Sequence, residues 1–136
     1  MFNLSFPMNT NFTEEISDKS NGSVIPKTTR RPWGNFQQFI ENSRSTIKIV
    51  NINPYSELSL QYHNNRDEFW RVLTGECIVT IGENFFNAKE GSEFFVPRKT
   101  RHKIATNVSP VQILEISLGH FEEGDIVRIE DKYGRP

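Results

Sequence analysis

From about residue 30 to residue 118 the chain is built of short runs rich in Ile, Val, Phe and Thr, each broken by Gly, Pro, Asn or Asp. Runs of this kind predict strands, here at 35–41, 46–52, 58–62, 68–74, 76–81, 84–88, 93–96, 101–106 and 110–118. Turns are expected at Asn53-Pro54, Thr74-Gly75, Gly82-Glu83-Asn84, Glu90-Gly91, Pro97 and Ser109-Pro110. No segment keeps a helical period beyond two turns, and only the tail at 122–132 has room for a short helix. Many evenly spaced strands with turn signals predict an all-β sandwich, jelly roll or barrel. Closing the sheet also removes exposed edges. Residues 1–29, rich in Asn, Ser, Thr and charge, predict an extended arm, partly disordered or docked on the barrel or a partner subunit. Residues 30–136 form the predicted barrel domain.

Composition narrows the class. A chain of 136 residues suits one domain with a real core and no need of disulfides. The net charge of −1 provides no field to draw nucleic acid or an anionic membrane, so neither is an expected partner. The single cysteine, Cys77, excludes an internal disulfide and reads as an inert core thiol. No run approaches the ~20 apolar residues that span a bilayer. The start, Met1-Phe2-Asn3-Leu4, lacks the basic and apolar regions of a secretory signal, so the expected compartment is the cytosol.

Two segments carry the chemistry. In the first, Gln61 and His63 are two apart on a strand and project to one face. A four-residue connection then leads to Glu68, at the start of the next strand. The second segment, Gly91 to His102, opens a strand after the Pro97 turn and adds an imidazole. An amide oxygen, two imidazoles and a carboxylate suit one divalent metal, Zn²⁺ foremost, with Mn²⁺, Fe²⁺, Co²⁺ or Ni²⁺ also fitting. Without a thiolate, open positions for water or substrate are expected rather than a closed structural site. The plainer alternative is a barrel that holds no metal. His120 fits no ligand spacing and is expected at the surface. Trp33, Trp70, Phe94 and Phe95 are expected in core or rim packing, although Trp70 shares the face of Glu68.

Gln61-x-His63, Glu68 and Gly75, followed by Gly91, Pro97 and His102, resemble the two motifs of the cupin superfamily, with Gln61 at the first His position and Lys99 at the second-motif Gly. The resemblance implies a cupin-type jelly-roll β-barrel. Arg31-Pro32-Trp33-Gly34, Leu58 to His63, Arg66-x-Glu68-Phe69-Trp70 and the tail from Gly124 to Arg135 look more closely like type II phosphomannose isomerase, the cupin domain of bifunctional mannose-1-phosphate guanylyltransferase/mannose-6-phosphate isomerases. The likeness covers residues 30–136. The chain departs from it at Tyr55 and Lys99, where the family carries Gly, and the change at Lys99 points to a distorted turn before His102.

The resemblance implies interconversion of mannose 6-phosphate and fructose 6-phosphate through an enediol, with the metal on Gln61, His63, Glu68 and His102. Guanylyl transfer is not implied, since no Gly-rich nucleotide loop is present. Arg66, Arg128 and Arg135 are candidates to meet the phosphate or the oxyanion, because Arg recognises phosphate bidentately. Their plain alternatives are a surface salt bridge for Arg66 and a tail ion-paired to Asp125, Glu130 and Asp131. Glu115, a carboxylate in an apolar strand, is the candidate base if it faces the cavity, and Lys103 is a weaker one. The rival readings are a non-catalytic cupin that binds a sugar phosphate or nucleotide sugar, an Fe²⁺ dioxygenase, and a structural dimer module. A homodimer is expected, since cupin barrels often pair.

Overall fold

The computed structural model describes residues 26–136, so most of the expected arm lies outside the described residues. Those residues form eleven strands and no helix, and none of them makes a helix long and apolar enough to cross a membrane. The chain divides into two units, Met1–Glu41 and Asn42–Pro136.

In the first unit, β1 (Lys27–Arg31) and β2 (Gly34–Gln38) form an antiparallel hairpin with Pro32-Trp33 at its tip. The apolar pattern did not predict β1, because Lys27-Thr28-Thr29-Arg30-Arg31 has no alternation to read. Trp33 is 73% exposed and stacks on Phe36 with ring centroids 6.5 Å apart. Of the core or rim packing expected for it, the core is therefore excluded.

The second unit has two antiparallel sheets. One, ordered β3-β10-β5-β8, comprises β3 (Ser45–Ile52), β10 (Val111–Gly119), β5 (Arg66–Thr74) and β8 (Glu93–Val96). The other, ordered β11-β4-β9-β6-β7, comprises β11 (Val127–Glu130), β4 (Leu60–Tyr62), β9 (His102–Ala105), β6 (Cys77–Ile81) and β7 (Asn84–Ala88). The tail thus ends in a strand and not in the helix expected at 122–132. Ile126, Val127 and Ile129 carry little helix propensity, and Val127 and Arg128 find partners in Tyr62 and Gln61.

The sheets share one core, to which the first contributes Ile52, Trp70, Val72, Val96, Val111 and Ile113, and the second Cys77, Val79, Ala88 and Ile104. Each fully buried side chain of this size contributes about 1.5–3 kcal/mol. Burial pushes the Cys77 thiol up to about 11, as befits an inert core residue.

The register grades the interior from apolar to polar. Along β10 the inward positions run Val111, Ile113, Glu115, Ser117. Their cross-strand neighbours run Ile52, Val50, Lys48, Thr46 on β3, and Val72, Trp70, Glu68 on β5. On β9, Ile104 lies opposite Val79, and His102 opposite Ile81 and Gln61. One end of the barrel is therefore hydrocarbon, the other is polar, and Trp70 marks the boundary.

Gly75 fixes the turn by which the chain passes from β5 in one sheet to β6 in the other. Its φ is +84°, and a Cβ there would fall 2.1 Å from the carbonyl oxygen of Pro110. Left-handed backbone alone costs an L-residue about 1–2 kcal/mol, and the clash adds to it. Gly75→Ala is expected to lower the denaturant midpoint by more than ~2 kcal/mol of stability. An unchanged midpoint would mean that this turn relaxes freely.

Candidate metal centre

His63 follows β4, and Glu68 lies two residues into β5, so the tight connection of residues 64–65 folds the carboxylate back beside the imidazole. His102 opens β9 directly opposite Gln61. His63, Glu68 and His102 are all buried, and one donor atom from each lies within 4.8 Å of the others. His63 Nε2 is 3.0 Å from Glu68 Oε1, and His102 Nε2 is 3.9 Å from Glu68 Oε2.

The backbone sets both tautomers. His63 Nδ1 donates to the carbonyl of Asp125 at 2.6 Å, and His102 Nδ1 to the carbonyl of Thr100 at 3.0 Å. With the protons held there, each ring turns the lone pair of Nε2 inward, as metal-ligating histidines do. His102 Nε2 is buried and has no hydrogen-bond partner, an arrangement that costs free energy unless something accepts that lone pair. Two imidazole nitrogens and one carboxylate fit a borderline divalent cation. These three residues can bind a metal. Gln61, the fourth expected donor, lies in line with His102, and its Oε1 accepts from Ser59 Oγ at 2.5 Å.

Glu68 is held ionised. Burial pushes its carboxyl up, but in the metal-free site the protonated form of His63, which then donates to it from Nε2, the charges of protonated His102 and His63, and the hydrogen bond from Arg66 outweigh it and bring it down to about 2. Trp70 Nε1 also donates to Glu68 Oε2 at 3.0 Å, and the Trp70 ring meets His102 edge-on at 5.3 Å between centroids. Burial holds His102 below its ordinary value, which favours the neutral ring a metal requires.

Arg66 lies inside, 6% exposed, and is not a surface salt bridge. Its Nε donates to Glu68 Oε1, its Nη1 to the carbonyls of Glu122 and Asp125, and its Nη2 faces His63 Nε2 at 3.2 Å. The strap of residues 120–126 that meets it was not legible as part of the site. Asp125 ties that strap to the ligand loop by accepting the backbone N–H of Asn64 and Asn65. Phe121 lies between two cations, Lys48 at 4.4 Å and Arg66 at 4.7 Å from its ring centroid.

Glu115 resolves toward the interior, in the row Lys48–Glu115–Trp70. Burial, and then the charge of Glu68, raise its carboxyl to about 7. Lys103 alternates away from His102 and pairs with Glu57 at 2.6 Å. Arg128 lies opposite Gln61. Its Nη1 donates to the carbonyl of Pro136, while its buried Nε has no partner. Arg135 forms the tail lock, with two bonds to Asp131 at 2.9 Å, and those bonds hold the Asp131 carboxyl well below the usual range. His120 is at the surface, paired with Glu122 at 2.8 Å. A cavity lined by Cys77, Ala88, Lys89 and Asn107 lies elsewhere and includes none of these residues.

The turn before His102 is intact. Lys99 takes φ +64° and Tyr55 takes φ +52°, so both adopt the left-handed backbone that a glycine would adopt freely. Lys99 N–H closes the turn on the carbonyl of His63 at 2.6 Å, which ties the two ligand segments together. The substitution keeps the turn at a local conformational cost instead of distorting it.

The alginate biosynthesis protein AlgA of Pseudomonas putida is 36% identical to this chain over 107 residues, covering 77% of this chain and 22% of AlgA. A mannose-1-phosphate guanylyltransferase of Escherichia coli is 33% identical over 107 residues, covering 77% of this chain and 23% of the enzyme. The chain thus spans less than a quarter of the length of these curated relatives. A cupin protein of Bacteroides fragilis superimposes with a TM-score of 0.52 at 16% identity, over 55% of this chain and 65% of its own, which shows the cupin fold. The family described as mannose-6-phosphate isomerase C-terminal matches residues 18–131, and the chain belongs to that family.

Proposed function

We propose that this chain is a metal-dependent aldose–ketose isomerase that interconverts mannose 6-phosphate and fructose 6-phosphate. The observation that carries this reading is the pairing, on one polar barrel interior, of a convergent His63–Glu68–His102 donor set with a second carboxylate, Glu115, whose acidity lies near neutrality.

Isomerisation of a 2-hydroxy aldehyde removes the proton at C2 and returns one to C1, while a proton moves between the two oxygens. A divalent ion on His63, Glu68, His102 and Gln61, zinc in the first instance, supplies Lewis-acid stabilisation of the negative charge that develops on the substrate oxygen. Glu115 takes the carbon-bound proton and gives it back one carbon away. A base with a pKa near the working pH suits that double role. Arg66 fixes Glu68 and the strap, and so orients the donors. Arg128 turns an unpartnered N–H toward the same face and is assigned the oxyanion. The strap of residues 120–126 keeps bulk water off the enediol.

A module that held the sugar phosphate without turnover would share the metal donors but would have no use for a proton-holding Glu115 in the barrel. The test is to load the protein with Zn²⁺, Mn²⁺ or Co²⁺, supply mannose 6-phosphate and follow fructose 6-phosphate. Turnover that is lost on chelation and restored by metal is expected. A folded, metal-loaded protein with no turnover under any of these ions would reject the reading.

A further inference from the structure

We infer that Lys48 is the phosphate anchor of this site and that Glu123 of the strap competes with the substrate for it. The inference rests on the sugar-phosphate reading above. The polarity of β3 first points to it. Ile47 and Ile49 are 62% and 55% exposed, while Lys48 between them turns inward beside Glu115. A strand that shows two isoleucines to water and turns a lysine, itself only partly covered, toward the polar mouth of the barrel reverses the usual preference at those positions. Val50 and Ile52 set the phase of the strand in the core further along, and the inward slot this leaves beside Glu115 holds a cation.

The partners of Lys48 are the second observation. Its ammonium is 3.1 Å from Glu123 Oε2 and lies over the Phe121 ring. Both partners belong to the strap and not to the barrel wall, and the Glu123 side chain is 83% exposed. Such an exposed pair contributes little, so a dianionic phosphate displaces the carboxylate readily. Of the other cations near the site, Arg66 is engaged by Glu68, His63 and two carbonyls and Arg135 by Asp131, while Arg128, with an unpartnered Nε opposite Gln61, is assigned above to the oxyanion.

Placement agrees. Lys48 lies two strands from Trp70, or roughly 10 Å at ordinary strand spacing, and Trp70 donates to the metal-binding carboxylate. That separation suits a hexose with its carbonyl end at the metal and its phosphate at Lys48. Ser117, next to Glu68 in the register, has a buried hydroxyl without a partner, as a polar ligand passing over it would require.

The test is equilibrium binding of mannose 6-phosphate and of mannose to the metal-loaded full chain, because the difference between them isolates the phosphate. The wild-type protein is expected to prefer mannose 6-phosphate, and Lys48→Met to lose that preference by roughly 10- to 100-fold, the worth of a charge-assisted contact. Lys48→Arg should retain it, which separates lost charge from lost fold. Glu123→Gln should strengthen the preference, an effect that a merely structural pair would not produce. A Lys48→Met protein that still prefers the phosphorylated sugar, a Glu123→Gln protein with no gain, or a wild-type protein with no preference would each overturn the assignment. Turnover does not enter this readout, so an absence of isomerase activity would reject the isomerase and leave the anchor standing.

Discussion

Replacing His63 with alanine is expected to abolish stoichiometric binding of a divalent metal, with titration calorimetry showing a loss of more than about 10²-fold in affinity. Even outlying partners of metal ligands cost 10- to 100-fold when removed, and His63 supplies a donor atom outright. Its Nε2 lies 3.0 Å from Glu68 Oε1, so its removal leaves a buried carboxylate and a single imidazole. The variant also loses the bond to the Asp125 carbonyl, so circular dichroism should accompany the titration. His102→Ala is the companion variant. Its ring hydrogen-bonds to the Thr100 carbonyl and not to the strap, so it should lose metal equally while disturbing the strap less. Metal binding of wild-type strength in either folded variant would remove these residues from the ligand set.

Glu115→Gln is expected to lower the turnover of mannose 6-phosphate by roughly 10²–10⁴-fold, the usual contribution of a positioned base, and to leave metal affinity within a few-fold. The amide keeps the shape of the side chain but cannot carry the proton. The pH profile provides the sharper signature. In the wild-type protein the base must be ionised, so activity should rise with pH through an inflection at or below about 7, because a bound cation lowers the value further. The inflection should vanish in the variant.

The same shift predicts an effect on stability in chelator-treated protein. Between the ordinary Glu value of 4.5 and the folded value of about 7, the unfolded chain has released a proton that the folded chain retains. Folding stability attributable to Glu115 therefore falls as pH rises across that window, and Glu115→Gln should gain thermal stability relative to wild type over the same range. A parallel response of both proteins would mean that Glu115 is solvated like any surface carboxylate.

The central strands and three metal donors were legible because a strand alternates and because Gln61-x-His63, Glu68 and His102 have few other uses at that spacing. Other features escaped. The hairpin strand Lys27–Arg31 is short and polar, and the tail strand Val127–Glu130 has only four residues, too few for its alternation to stand out, so their partners do much to make them strands. Lys48 lies in Ile47-Lys48-Ile49, where alternation alone would have turned the isoleucines inward. The phase of that strand is set by Val50 and Ile52, which reach the core further along. Glu115 was ambiguous for the same reason, since Leu114 and Ile116 flank it. The strap was invisible because its grip on His63 and Arg66 is made largely through backbone carbonyls, and any sequence would supply those.

All of this chemistry depends on the meeting of His63, Glu68 and His102 from separate parts of the barrel. An anomalous-scattering map of crystals grown with zinc tests that meeting directly. One peak per chain is expected, at about 2.0–2.2 Å from both Nε2 atoms and a Glu68 oxygen. Zinc bound elsewhere, or in contact with only one of the three, would contradict it.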